Sequence, residues 1–598
     1  MANPRKQKPA SSHTAELLAL SLPLVTLSIW LFSSRLSPLQ LHAVSLITPS
    51  QFFPSDPCPQ PTPIKPNKHA LIWERLLKEA TTGAYEEKVV EWLSGAIQIA
   101  TESYDNMGPV GEDSRWEAFG PFHDYLSGAF PLVHSTLSVA KVNTWGLVYV
   151  WKSWNDSLRP LLLTAHQDVV PVNPDTVDKW IHPPYSGHFD GERIWGRGTA
   201  DDKNGLVTIL AAVEYLVSAG FEPARTLVLA FGFDEESSGK QGAGALSGYL
   251  LATFGRNSFA LIVDEGGTPA LFACPQDSPD VYTEPDGFLE TYGSVTALPS
   301  VAEKGYIDVR LTVSSPGGHS SIPPAHTSIG LLATMIVELE ANPTPVELSR
   351  DNVYYDTLVC MATHSANVGK DLRQAILDSV TSDEALKVVE SMVLRDPETR
   401  SLVGTTRAID IIRGGVKANA LPEEAWVVIN HRISTDSSVS QTIRFVSDLL
   451  QPLATKFNLS LTSFGETITD PTLPSYGSIL LSDPWDTRLE PAPISPYKSS
   501  PAFRVLAGTI KSVYNTHRGL EGNDNIVVYP SYLFGNTDTR YYWELSENIY
   551  RYNHDDFDKR DGLGGIHTIN ENIRVDSLLE MIKFFVALIL NTDEATDL

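Results

Sequence analysis

Short apolar runs alternate with helical patterns through the first half of the chain. Ile72, Leu76 and Leu77, with Val89, Val90 and Leu93 further on, open a helical pattern. Residues 161–165, 226–231 and 259–263 are continuous apolar runs of strand length, and 206–216 reads as a helix between the first two. This alternation, which persists to about residue 290, predicts an α/β domain around a central, mostly parallel sheet. The texture changes near residue 300. Residues 306–313 alternate like a half-exposed strand, 328–339 is helical, 408–412 and 425–433 are strand-like, and 438–450 is helical again. This β-α-β-β-α-like block predicts an inserted α+β domain over 303–455, with 343–402 adding helical material to it. The α/β domain is then split into 71–302 and 456–598. Its second part opens on a proline-rich surface connection, 466–500, and ends in an apolar helix, 575–590.

The N-terminus has a different pattern. Arg5, Lys6 and Lys8 precede any acidic residue, and 17–32 is almost wholly apolar. As a helix, 15–34 would be about 30 Å long, enough to cross a bilayer. The predicted order is a cytosolic tail (1–14), a transmembrane signal anchor (15–36), a Pro-rich tether (37–70) and a lumenal body. A cleaved signal peptide, giving a secreted protein, is the alternative. Sequons at Asn155 and Asn458 fit a lumenal, glycosylated body. Cys58, Cys274 and Cys360 allow one bridge at most and have no metal-type spacing. At 598 residues two or more domains are expected, and 42% hydrophobic with 20% charged residues fits a soluble globular body. A net charge of −27 argues against nucleic-acid binding, which needs a basic footprint.

Five motifs carry candidate chemistry: His166-Gln167-Asp168; Gly196-Arg197-Gly198-Thr199-Ala200-Asp201-Asp202-Lys203; Asp234-Glu235-Glu236-Ser237; Val263-Asp264-Glu265-Gly266-Gly267; and Gly565-Ile566-His567. Each alone has a bland reading. An H-x-D is usually a surface accident, Asp201 or Asp202 could cap the following helix, and Glu235-Glu236 could be a solvated turn. Three of the motifs, however, sit at the ends of apolar strand-like runs, where open α/β sheets bind ligands. Two histidines with several carboxylates form the donor set a pair of divalent metals needs. Asp168 can fix the tautomer of His166. Asp201, in a glycine-bounded turn, can bridge two cations about 3.5–4 Å apart. Glu235 and Glu236 point opposite ways on an extended segment, so one can bind metal while the other serves as a general base.

The wording of G-R-G-T-A-D-D-K, D-E-E-S and V-D-E-G-G resembles the di-zinc metallopeptidase superfamily of carboxypeptidase S, carnosinase-type dipeptidases, aminoacylases and succinyl-diaminopimelate desuccinylase, over roughly residues 75–592. The basic tail, anchor, tether and long insertion are similar to the carboxypeptidase S branch of fungal vacuoles. The resemblance implies a zinc-peptidase catalytic domain with a ferredoxin-like lid, and two Zn2+ per subunit. His166 and Asp264 would hold one zinc, Glu236 and His567 the other, and Asp201 would bridge them. Glu235 would be the general base and Asp168 the orienting residue. A cis peptide is implied at Asp201–Asp202. In the lid, His319 would polarise the scissile carbonyl, in dimeric relatives from the neighbouring subunit, while Asn419 and Arg432 would hold the substrate carboxylate. The implied activity is hydrolysis of the C-terminal amide of short peptides by a monomer or homodimer. N-acyl amino acid hydrolysis at the same site is the alternative. A non-catalytic tethered binding protein is a third reading, against which stands the filling of every ligand position.

Overall fold

Two sheets organise the chain in the computed structural model, which describes residues 56–266, 288–556 and 565–598. The first has eight strands, in the order Ser138–Val142, Gly146–Trp151, Leu227–Gly232, Leu161–His166, Leu261–Asp264, Ile549–Arg551, Ser300–Glu303 and Ser531–Leu533. The three apolar runs lie side by side at its centre and pair in parallel. They are buried along their whole length because alternate residues face different cores. Leu161, Leu163, Leu229 and Val263 pack in one cluster with the helices Lys203–Ser218, Pro501–Arg518 and Val575–Glu594. Leu162, Val228, Ala230 and Ile262 pack in another with Ala243–Phe254. Strands covered on both faces lose the polar alternation of exposed ones. Away from this centre, antiparallel pairings join Gly146–Trp151 to both of its neighbours, and Ser300 to Arg551. The sheet is therefore mixed, with four parallel and three antiparallel pairings.

The second sheet has six strands, in the order Thr406–Gly414, Glu424–Ile433, Gly305–Ser314, Gly477–Ser482, Leu459–Ser463 and Glu466–Thr467. Helices Ser328–Ala341 and Val439–Phe457 contribute Leu331, Met335, Val446 and Leu450 to a core with Ile307, Val309, Leu311, Val427 and Ile429. The β-α-β-β-α-β succession is ferredoxin-like, as expected. Its extent is not. The sheet takes in strands up to Ser482, beyond the predicted end at 455, and Gly477–Ser482 falls inside the predicted surface connection. That strand sits between two others with Ile479 and Leu481 buried. Prolines on either side mask so short an apolar run.

Two further expectations change. Segment 343–402 was expected to extend the inserted domain. It folds into the helices Val353–His364, Lys370–Ser379, Asp383–Val393 and Pro397–Val403, and Val353, Leu358, Val359, Ile376 and Val389 join the core of the eight-stranded sheet instead. The expected tether does not reach residue 70, because 58–69 is fastened down. Cys58 is disulfide-bonded to Cys360. The Gln60 amide donates to Val528 O (3.0 Å) and accepts from its N–H (2.9 Å). Ile64 N–H donates to Gly508 O (2.8 Å), and the Glu594 carboxylate accepts from Asn67 and His69 N–H. The predicted tail, the anchor at 15–36 and Cys274 lie outside the described residues. Among the described residues, no helix is long and apolar enough to cross a membrane. Asn155 lies half-buried in a surface loop, and Asn458 is exposed at the left-handed C-terminus of a helix (φ 53°).

Buried His431 should contribute to a loss of stability at acid pH. His431, 1% exposed, donates from Nδ1 to Ile429 O (3.1 Å). Burial, helped by the Arg407 charge, lowers its pKa from 6.5 to about 4. Between those values the unfolded chain binds more protons than the folded one, so stability falls as pH falls through this window. The loss amounts to up to about 3 kcal/mol. Denaturation midpoints measured near pH 7 and pH 4 should therefore differ less in His431→Leu than in the parent protein. An equal difference in both would show that His431 does not carry this dependence.

Candidate metal centre

The strand Leu161–His166 delivers His166, 1% exposed, to the carboxyl edge of the eight-stranded sheet. Its Nδ1 donates to the carbonyl of Asp168 (3.0 Å) and lies 3.2 Å from that residue's carboxylate. This turns Nε2 towards Asp201 Oδ1 (3.0 Å) and Glu265 Oε2 (3.2 Å). The other Asp201 oxygen is 3.0 Å from His567 Nε2, and Glu236 Oε2 is 3.3 Å from the same nitrogen. Asp201 thus stands between two imidazoles that lie 401 positions apart in the sequence. The peptide bond Asp201–Asp202 is cis, as the family resemblance implied. Asp202 accepts from His166 N–H (3.3 Å) and from the Asn553 amide (3.1 Å).

Asp168, wholly buried, organises the third motif. Its carboxylate accepts the N–H groups of Glu235 (3.2 Å) and Glu236 (3.1 Å) and the Ser103 hydroxyl (2.6 Å). Asp234 closes the same turn by accepting from Gln241 and Gly242 N–H. Glu236 is thereby aimed at His567. Glu235 is left beside the cluster, with no hydrogen bond from its carboxylate to a described residue.

The electrostatics are those of a donor set for cations. Burial drives the Glu235 and Glu265 carboxyls well above the ordinary range, and neighbouring carboxylates add to the shift. Burial also raises Asp202 to about 7. Burial by itself would lower His166, but Glu265, Asp168 and Asp201 outweigh it and hold it well above 6.5. Hydrogen bonds to Asp201 and Glu236 raise His567 to about 11. Glu236 Oε1 is buried with no hydrogen-bond partner among the described residues. Two triads, His166–Asp201–Glu236 and His166–Asp202–Glu265, bring their ligand atoms within 4.8 Å of one another. Imidazole and carboxylate at such spacing fit divalent zinc.

One predicted ligand is placed elsewhere. Asp264 was expected to share a cation with His166. Its carboxylate instead accepts from Thr164 Oγ1 (2.6 Å), and its second oxygen is buried without a partner among the described residues. Adjacent residues at a strand end face opposite sides, and it is Glu265 that faces His166. Asp538, 4% exposed, was not singled out from the sequence; burial first, then Asp264 and Asp234, raise its carboxyl well above the usual range.

The remaining candidates stand on the six-stranded unit. His319 lies exposed in the short strand Gly318–His319, paired with Ala420–Leu421, and its Nδ1 accepts from Ser321 N–H (3.1 Å). Asn419 lies beside it, its carbonyl accepting from Ser320 N–H (3.4 Å). The Arg432 guanidinium is 4.6 Å over the Tyr306 ring. Among the described residues, no hydrogen bond or ion pair joins these three to the His166 cluster.

Residues 162–591 match the model of peptidase family M20/M25/M40. The chain belongs to this family. The peptidase is a hydrolase acting on peptide bonds. It is 38% identical to carboxypeptidase S of Saccharomyces cerevisiae, over 90% of this chain and 89% of that one. It is 31% identical to the mouse N-fatty-acyl-amino acid synthase/hydrolase PM20D1, over 85% and 89%. Human carnosine dipeptidase 1 shares the peptidase's fold, with a TM-score of 0.53 at 13% identity, over 89% of this chain and all of that one.

Proposed function

We propose that this peptidase is a two-zinc carboxypeptidase or dipeptidase that releases the C-terminal residue of short peptides. The observation that carries the reading is the Asp201 carboxylate set between His166 and His567, with Glu235 free beside it. His166 and Glu265 would hold one zinc, His567 and Glu236 the other, and Asp201 would reach both. Bound zinc supplies Lewis acidity and acidifies the attacking water. Glu235 takes the proton of that water as its oxygen adds to the amide carbon. It then passes the proton to the leaving nitrogen as the C–N bond breaks. Asp168 keeps His166 in one tautomer and holds the Glu235–Glu236 turn by its backbone. His319 would donate to the developing oxyanion. Arg432 and Asn419 would grip the terminal carboxylate, the guanidinium by its planar fork. These three act in this reading when the six-stranded unit closes over the cluster.

The similarity to an N-fatty-acyl-amino acid synthase/hydrolase supports a second reading, in which an acyl group replaces the N-terminal part of the peptide. The two are separated by kcat/KM of the zinc-loaded protein on a Gly-Leu-type dipeptide and on N-acyl-leucines. An excess of at least about tenfold for the peptide, roughly 1.4 kcal/mol at the transition state, is expected. The reverse order would move the assignment to the acyl substrates, and turnover of neither would sink both. A chelator should abolish activity, and zinc should restore it. The Cys58–Cys360 bridge supports an oxidising, lumenal setting. With the apolar N-terminal run and the sequons at Asn155 and Asn458, it favours a glycosylated body anchored inside the vacuole, with a secreted form as the alternative.

A further inference from the structure

Glu571 lies four residues beyond His567 and is wholly buried. None of the metal or proton-transfer roles uses it. Its Oε1 accepts three backbone N–H groups of one loop: Gly198 (3.0 Å), Ala200 (2.8 Å) and Asp201 (3.2 Å). Its Oε2 accepts from the Arg197 guanidinium, itself 4% exposed. The Glu571 carbonyl accepts from Gly196 N–H (2.9 Å). Among the described residues, these hydrogen bonds all come from the loop 196–201, which ends in the carboxylate shared by His166 and His567. The loop passes through backbone that only glycine enters without strain: Gly198 has φ +90°, and a Cβ there would lie 2.6 Å from Val169 Cγ1. Local propensity does not favour such a path, and a carboxylate with several N–H donors holds it in place. The same residue follows His567 closely in sequence and touches the turn beneath it, since a Cβ on Gly565 would lie 2.9 Å from Glu571 Cα.

We propose that Glu571 is a positioning residue that fixes the distance between Asp201 and His567, and so sets the affinity of the second metal position. This inference rests on the two-metal reading. Glu571→Gln tests it, because the side chain keeps its size and an oxygen for the loop N–H groups but turns an amide donor towards Arg197. Zinc affinity, measured by competition with a chromophoric chelator, should fall about 10–100-fold, the range for groups that orient metal ligands. On a dipeptide, kcat should fall with it while KM stays within about threefold. A purely structural role would lower the melting temperature of the metal-free protein and leave zinc affinity unmoved. Glu571→Asp, one methylene shorter, should lose affinity in the same direction, and it serves as the test if the glutamine variant does not fold. Two zincs in the parent protein with unchanged affinity in a folded variant would overturn the positioning role alone. Fewer than two zincs in the parent protein would overturn the two-metal reading, and this inference with it.

Discussion

Glu235→Gln is expected to keep its zinc and lose turnover by about 10²–10⁴-fold, the range a positioned proton-transfer group supplies. The two halves of that expectation come from different atoms of one turn. The Glu235 N–H donates to Asp168, and that bond survives the substitution, so Glu236 stays aimed at His567 and zinc should bind as before. The Glu235 carboxylate bonds to no described residue and faces the cluster, so its loss should remove only the group that accepts the water proton. Zinc content by elemental analysis and kcat on a dipeptide check both halves. Normal turnover would end the general-base role. Loss of zinc together with turnover would show instead that Glu235 is a ligand. The glutamine form should lower kcat and kcat/KM alike, because proton transfer is made only in the transition state.

What the sequence disclosed follows from how far each signal reaches. The three central strands were legible because burial on both faces makes them continuous apolar runs, and His166 and the acidic turn after Gly232 mark the sheet edge where two of them stop. The strand Gly477–Ser482 was not, because six residues among prolines give no periodicity to read, and its partners come from more than 150 residues upstream as well as from nearby. The helices of 353–403 were legible as helices. Their allegiance was not, since an apolar face does not say which of two cores it will meet. The segment 58–69 reads as a tether by its prolines, while the bonds that pin it run to residues 360, 508, 528 and 594. Glu571 gave no signal at all. Its function lies in backbone N–H groups some 370 positions earlier, and no side-chain pattern records them.

The pair Asp264-Glu265 sets the second strong expectation. Glu265→Gln should cost the first metal position more than about 100-fold in zinc affinity, beyond the 10–100-fold typical of an outer partner, whereas Asp264→Asn should leave two zincs bound. Both carboxylates sit at the end of the strand Leu261–Asp264, so charge does not separate them; direction does. Asp264 is the last ladder residue, and its short arm is spent on Thr164 Oγ1 within the sheet. Glu265 lies one step past the ladder, on the opposite side, and its longer arm carries Oε2 to 3.2 Å from His166 Nε2. A neutral amide at 264 can still accept from Thr164 Oγ1. A neutral amide at 265 removes the charge facing His166 and Asp202, and an amide oxygen is a much weaker zinc donor than a carboxylate. Titration of each apo variant with zinc, read as stoichiometry and affinity, separates the two. Loss of one zinc from Asp264→Asn with full binding by Glu265→Gln would return the ligand role to Asp264.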